Sequence, residues 1–395
     1  MKDAAKQLIA KMGAADPSAR FAVRFWDDDE VRVGDGEPQV TLRIKTREAL
    51  SRCLADNFLG FAESYMNGDI EIDGDVDLLF KLGHIIDFGT LPMSWKEKAR
   101  LAATYLLHRN TVQRSGKNAR FHYNLGNDFF ELFLDETFAY TCAYFHTPED
   151  TLEQAQKQKF EHVCRKLMLK QGEHIADLGC GWGGFLIYAA ETYGISGVGV
   201  TLSEPQVELG NRRIAERGLQ DRIRLELKDY RELEGSFDKV GSIGMLEHVG
   251  EGYIGTFMSK ISDLLKPGGV GLVHTIANDT PFPDDPWTMK YVFPGSHVPV
   301  LSHIIQEMSA RRLSILDVEN LRMHYPLTIK HWMERYEQNY DTVVERYGER
   351  FARMYRLYWI VSKTSFEYGG NRLFQTVFSK GLNNDLPLTR DHLYR

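Results

Sequence analysis

The sequence predicts an α/β fold, a parallel sheet wound by crossover helices, with a smaller α+β unit ahead of it. Three observations carry that expectation. After Asp150, short apolar runs alternate with stretches of helical period, the pattern of βα units. The run His174-Ile175-Ala176-Asp177-Leu178 breaks into the turn Gly179-Cys180-Gly181-Trp182-Gly183-Gly184, and a helix-like segment, Phe185 to Tyr193, follows. At 395 residues the chain exceeds one ordinary domain, so one large and one small domain are expected.

Composition narrows the function. With 43% hydrophobic and 26% charged residues the chain is globular with ample core. Its formal charge of −7 argues against general nucleic-acid binding. No apolar run reaches the roughly 18 residues that span a bilayer. Met1 to Arg20 lack a hydrophobic signal core, so a cytoplasmic protein is expected. Cys53, Cys142, Cys164 and Cys180 are too widely spaced for a zinc pattern or a disulfide framework, which fits a reduced compartment and no bound metal.

In chain order, Phe21 to Trp26, Val31 to Val33 and Val40 to Ile44 alternate as strands, separated by turns at Asp27 to Glu30 and Gly34-Asp35-Gly36. Asp27-Asp28-Asp29 reads as a solvated turn in preference to a metal site. Thr46 is placed to cap a helix carrying Ala49, Leu50, Cys53 and Leu54 on one face. A second helix (Phe58 to Met66), a short strand (Ile70 to Ile72) and a third helix (Val76 to Leu82) complete the small unit, in which nothing looks catalytic.

From Lys96 to Arg120 the composition turns basic. Lys96, Lys98, Arg100, Arg109, Arg114, Lys117 and Arg120 face one acid, Glu97, around the apolar patch Leu101, Ala102, Tyr105 and Leu106. Such a stretch suits anionic lipid headgroups; a solvated linker helix is the plain alternative. The boundary is set near residue 110, giving an N-terminal domain of 1–110 and a larger one of 111–395.

The aromatic-rich stretches Arg120 to Phe130 and Phe138 to Phe145 suggest a pocket wall or lid. Strands are then expected at Glu173–Leu178, Ser196–Thr201, Ile223–Leu227, Phe237–Ile243 and Val270–Ile276, with helices at Gly184–Tyr193, Glu204–Arg217 and Gly252–Leu265. Lys266-Pro267-Gly268-Gly269 reads as the stop of the last helix. That order predicts right-handed crossovers and a ligand across the C-terminal strand ends. The Pro- and aromatic-rich excursion from Asn278 to Pro299 reads as a lid. Helices follow at Pro326–Tyr347 and Glu349–Tyr368. In the second, Phe351, Met354, Tyr355, Tyr358 and Trp359 form a stripe that reads as a core face, with an acyl-tunnel wall as the alternative. Phe374 to Phe378 reads as a final strand closing the sheet in a hairpin.

The glycine turn lacks the Lys-Ser/Thr pair of a triphosphate loop, and neither the G-x-G-x-x-G spacing nor the ribose acid of a dinucleotide site is present. S-adenosylmethionine therefore fits better than ATP or NAD. At the second strand end Thr201 and Gln206 can take the ribose hydroxyls, and Asp229 and Tyr230 after the third can flank an adenine. Glu247 follows the fourth strand and His274 ends the fifth, so both are expected near the cofactor. With Cys142 and Tyr325 arriving from flanking segments, they suit a small anion or a proton transfer. His248, next door, reads as structural.

Phe121-His122-Tyr123-Asn124-Leu125-Gly126-Asn127, Tyr140-Thr141-Cys142-Ala143-Tyr144, Asp177 to Gly184, Gly244-Met245-Leu246-Glu247-His248-Val249-Gly250, His274-Thr275-Ile276 and Tyr291-Val292-Phe293-Pro294-Gly295 together resemble the cyclopropane-fatty-acyl-phospholipid synthases. The resemblance covers about residue 115 to the C-terminus; the N-terminal unit is more loosely similar to the extra domain of bacterial members. It implies a Rossmann-like class I S-adenosylmethionine-dependent methyltransferase sheet with helical lid insertions. It further implies that the methyl group is added as a methylene bridge across a cis double bond of a phospholipid acyl chain, with bicarbonate as base. By the family pattern Cys142, Glu247, His274, Ile276 and Tyr325 hold the bicarbonate. Tyr140, Thr141, Gly179, Gly181, Thr201, Leu202, Gln206, Tyr230 and Arg231 match the cofactor-contacting segments. Thr141 stands where relatives often have Ser, and both supply a hydroxyl. The implied partners are unsaturated phospholipid acyl chains and an anionic membrane surface at the inner face of the membrane. A homodimer is left open.

Rival readings keep the fold and change the product to a methyl-branched or methylene lipid, or make the chain a non-catalytic lipid-binding relative. Relatives that methylate amines share many of these motifs too.

Overall fold

The computed structural model describes residues 1–85 and 125–394. The basic stretch, the boundary near 110 and the motif residues Phe121 to Asn124 lie outside them. Two compact units form. The first gathers the described residues up to 85 with Asp285–Val292 and Met333–Gly369; the second holds the remainder. A single cut at 110 therefore misses two later segments that join the first unit.

In the first unit β1 (Phe21–Arg24), β2 (Glu30–Val33), β3 (Val40–Ile44) and β4 (Ile70–Gly74) make a sheet in the order β2-β1-β3-β4. The Thr46 hydroxyl accepts the Ala49 N–H at 3.1 Å and starts the helix Arg47–Met66, which bends at Asn57, where φ is 50°. That bend separates the two helices expected there. A helix over Lys2–Ala15 was not foreseen; Lys6 pairs with Asp29 at 2.9 Å and Lys2 with Asp27, so lysines engage the triple-aspartate turn. Helix Glu349–Glu367 packs on Arg47–Met66 and Val76–Ile85 with Met354, Tyr355 and Trp359 buried, so its aromatic stripe is a core face. The excursion after Asn278 is partly helical. Asp285 caps Pro286–Tyr291, and Trp287, wholly buried, donates its indole N–H to Met66 Sδ at 3.1 Å.

The second unit is built on β5 (His174–Leu178), β6 (Ser196–Thr201), β7 (Ile223–Leu227), β8 (Phe237–Ile243), β9 (Leu265–Asn278), β10 (Leu313–Asn320) and β11 (Asn371–Lys380). Their order is β10-β11-β9-β8-β5-β6-β7, parallel from β9 to β7, with β11 antiparallel to both its neighbours. β9 begins at Leu265, five residues before the expected Val270, and takes in the Lys266-Pro267-Gly268-Gly269 turn. β10 was not expected. It is a sheet edge, and only Leu313 of its residues is buried, so the apolar alternation that marks a strand is missing.

Helices cover both faces, as a buried parallel sheet requires. Leu186, Ile187 and Ile214 pack with Phe160, Val163 and Leu167 on one side. Phe257, Met258, Ile261, Ile304 and Met308 pack with β8 and β9 residues on the other. The helix Leu152–Lys166 opens with a capping box between Thr151 and Gln154.

Phe257 is wholly buried, its ring 5.2 Å from that of Tyr230. Phe257→Ala should cost about 3–5 kcal/mol in urea unfolding of the full chain; a loss under about 1 kcal/mol would place the core elsewhere.

Candidate active site

The floor of the site is the turn after β5. Gly179, Gly181 and Gly183 hold φ at 84°, 54° and 79°, a region where an L side chain is strained. Gly179 and Cys180 donate their N–H groups to Val200 O at 3.0 and 3.1 Å, tying the turn to β6. A Cβ on Gly179 would lie 2.8 Å from the Met245 side chain, and one on Gly244 would lie 2.6 Å from Thr141 Cγ2. A Cβ on Gly181 would meet nothing within 4 Å, because that position opens into a cleft.

Every residue assigned to the cofactor lines this cleft. Tyr140 and Thr141 form one wall and Gly179 and Gly181 the floor; Thr201, Leu202 and Gln206 lie at the end of β6, with Tyr230 and Arg231 beyond β7. Thr201 donates its hydroxyl to Gln206 Oε1 at 2.6 Å, so the pair expected at the ribose position is already joined. Arg231 Nε reaches Asp229 Oδ1 at 2.8 Å. Burial works to raise the Asp229 carboxyl, but the hydrogen bonds from Arg231 hold it below its ordinary range. Around the mouth, the ring of Phe130 stands 5.1 Å from Trp182 and 5.3 Å from Tyr140, and Asn127 Oδ1 accepts the Trp182 indole N–H at 2.7 Å.

Several cleft residues escaped the sequence reading. Asp177, 2% exposed, has an Oδ1 without a partner, and burial pushes its carboxyl up to about 7. Lys159, 1% exposed, donates to Thr141 Oγ1 at 2.8 Å, and burial pushes its ammonium down to about 8. Ser203 Oγ is buried without a partner. His248, read as structural, also lines the cleft, and burial holds its ring at about 4. Asp177 carried a signal, an acid ending an apolar strand before a glycine turn. Lys159 carried none, since a lysine on an amphipathic helix normally faces water.

Glu247, His274, Cys142, Ile276 and Tyr325 do not line the cleft. Gly244 and Met245 reach the cleft, but the short helix Leu246–Val249 then turns Glu247 toward β9. There Glu247 Oε1 accepts the Ile276 N–H at 2.6 Å, while Oε2 is buried without a partner. Burial is the main cause that pushes this carboxyl up to about 7. His274 and Ile276 lie two apart on β9 and share a face. His274 is buried, which drives its pKa well below the ordinary value and keeps the ring neutral. Gln375, paired with it on β11, places Nε2 3.1 Å from His274 Nδ1, a contact the sequence did not reveal.

Cys142 and Tyr325 meet a common helix, His324–Gln338. Thr328, one turn beyond Tyr325, places Oγ1 3.8 Å from the Cys142 sulfur and accepts the Ala143 N–H at 3.0 Å. Burial raises the Cys142 thiol far enough to keep it protonated. The Tyr325 ring lies 6.3 Å from Trp332, itself 5.3 Å from Tyr140, so the two groups of residues share an aromatic wall. The orphaned Glu247 oxygen fits a small group that brings its own hydrogen. The open space above Gly181 fits an extended adenosyl ligand laid along the strand ends.

Comparison with known proteins agrees with this geometry. The family described as mycolic acid cyclopropane synthetase matches residues 110–376, and a domain of unknown function (DUF7884) matches residues 8–84. The chain is 36% identical over 360 residues to the cyclopropane-fatty-acyl-phospholipid synthase of Escherichia coli, covering 90% of this chain and 92% of that one. It is 31% identical over 397 residues to the tuberculostearic acid methyltransferase UfaA1 of Mycobacterium tuberculosis, covering 96% and 92%. The crystal structure of mycolic acid cyclopropane synthase CmaA1 with SAH and CTAB matches with a TM-score of 0.64 at 29% identity, covering 67% of this chain and 98% of that one. The sheet is that of the class I methyltransferases.

Gly181→Ala should lower affinity for S-adenosylhomocysteine at least about tenfold by calorimetry, with a stability loss of about 1 kcal/mol from the positive φ. Unchanged affinity would move the ligand away from this turn.

Proposed function

The chain belongs to the mycolic acid cyclopropane synthetase family and is an S-adenosylmethionine-dependent methyltransferase, and from that premise we propose that it is a cyclopropane-fatty-acyl-phospholipid synthase. In this reading it adds a methylene across a cis double bond of a phospholipid acyl chain, and a bicarbonate held beside Glu247 takes up the proton released as the ring closes. The observation that carries the reading is the Glu247 carboxylate: buried, with one oxygen bound to a backbone N–H and the other unpaired, and ionising near neutrality.

When bound, S-adenosylmethionine supplies an electrophilic methyl group and bicarbonate a base. An alkene is a weak nucleophile, so alignment with the donor and exclusion of water must lower the barrier. The wall of Phe130, Tyr140 and Trp182 keeps water from a cationic acyl chain and offers it π faces. Ionised Glu247 accepts the hydrogen of the anion beside it, neutral His274 and Tyr325 orient the anion's oxygens, and Cys142 and Ile276 border them. No side chain in this set is a strong nucleophile able to trap the cation: the Cys142 thiol is held protonated by burial.

Among the described residues no helix is long and apolar enough to cross a membrane. The acyl substrate is proposed to be met at a bilayer surface, on the cytoplasmic side, through the basic stretch that includes Arg109, Arg114 and Lys117. A second reading has one finding in its favour, the similarity to a tuberculostearic acid methyltransferase: a methyl-branched product from the same acyl cation.

Lipid analysis of a host expressing the chain decides the product. Acyl chains one CH2 heavier, with ring-proton resonances and no olefinic signal, are expected; a retained double bond or a methyl branch favours the second reading. Glu247→Gln should cut turnover at least about a hundredfold with S-adenosylhomocysteine affinity nearly intact, and full turnover would refute the base site. Because Glu247 must be ionised and its pKa lies at about 7, wild-type turnover should rise as pH increases through 7. Reversing the charges of Arg109, Arg114 and Lys117 should weaken sedimentation with anionic vesicles; equal binding would make the stretch a solvated linker.

A further inference from the structure

We infer that Lys159 binds the amino-acid carboxylate of S-adenosylmethionine, an assignment that rests on the cofactor reading above and deepens it. The strand order lays the cleft out from end to end. Tyr230 and Arg231 lie beyond β7, Thr201 and Gln206 at the end of β6, Gly179 after β5, and Gly244 with Met245 after β8. With the base and ribose against β7 and β6, the amino-acid tail falls against β5 and β8. Lys159 and Asp177 line that part of the cleft, beside Thr141, which packs on Gly244.

Lys159 is short of partners there. An ammonium carries three donors. One goes to Thr141 Oγ1 at 2.8 Å, and the face of Phe160 lies 4.4 Å from Nζ. Among the described residues no carboxylate comes within ion-pairing distance of it. The charge of Asp135 favours the ammonium most, but its oxygens bond elsewhere, accepting the N–H and hydroxyl of Thr137 and the N–H of Ala139. Asp177 adds its charge from a distance without a bond. A buried cation left in this state is stabilised by an anion that arrives with the ligand, and the tail of S-adenosylmethionine carries one at this end. Even with burial pulling it down to about 8, the ammonium is charged at neutral pH and ready to receive it. Lys159 is also within electrostatic reach of Cys142 and His274, so the rival role is to hold the bicarbonate.

Calorimetric titration of the full chain separates these roles. Wild type and Lys159→Met are each titrated with S-adenosylhomocysteine and with its decarboxylated analogue, which has the same adenosine and sulfur but no carboxylate. The inference expects the variant to lose about ten- to a hundredfold for S-adenosylhomocysteine, the loss of one charge-assisted hydrogen bond. It expects nearly equal affinity of both proteins for the analogue, which also reports that the variant is folded. Lys159→Arg should recover part of the lost affinity. Equal losses for both ligands, or no loss for either while the bicarbonate requirement of turnover rises, would overturn the assignment. If wild type binds neither ligand, the cofactor reading itself falls.

Discussion

The site depends on close approach between strand ends that have no side chains in the way. Gly179 lets the turn after β5 pass against Met245, and Gly244 lets the turn after β8 pass against Thr141. Adding a methyl group at either point puts atoms closer than 3 Å, so one of the three segments must move. These contacts set the width of the cleft, and through Thr141 they also set where Lys159 points. The shape of the cleft and the placement of Glu247 are thus fixed by one packing arrangement, because Glu247 follows Met245 by two residues.

Water exclusion governs the electrostatics. Asp177, Lys159 and Glu247 are all buried, and burial moves each of them toward neutrality from opposite ends of the scale. His248 and His274 are held neutral by the same cause. Such an interior suits a reaction whose reacting species are cationic and easily captured by water. It keeps strong nucleophiles protonated and leaves few but well-placed acceptors, the unpaired oxygens of Asp177 and Glu247 among them.

The inner strands β5, β6 and β8 could be read from the sequence because both their faces are buried, and the edge strand β7 because its apolar residues alternate with Arg224 and Glu226. β6, β7 and β8 have the expected bounds and β5 differs by one residue. β10, the opposite edge, could not, since its residues show neither a continuous apolar run nor a clear alternation. The cleft-lining residues could be named because a glycine turn and a strand end are local signals. The bend that turns Glu247 from the cleft toward β9, the Gln375 contact with His274 and the burial of Lys159 arise from residues distant in the chain. The helix Leu152–Lys166 did carry a local signal, Thr151 followed by Gln154 at capping-box spacing, which went unused.

The antiparallel strand β11 sits between β9 and β10, although it is made last. As the chain leaves the ribosome, β9 can pair with β8 at once, but its other edge stays bare for more than ninety residues, until 371–380 appear. His274 lies on that strand, so its imidazole meets Gln375 only when the sheet closes. The half of the sheet from β8 to β7, whose strand ends line the cleft, needs no such wait. The cleft can thus take shape before the strand that carries His274 is covered, and the exposed edge in between is where chaperones have most to protect.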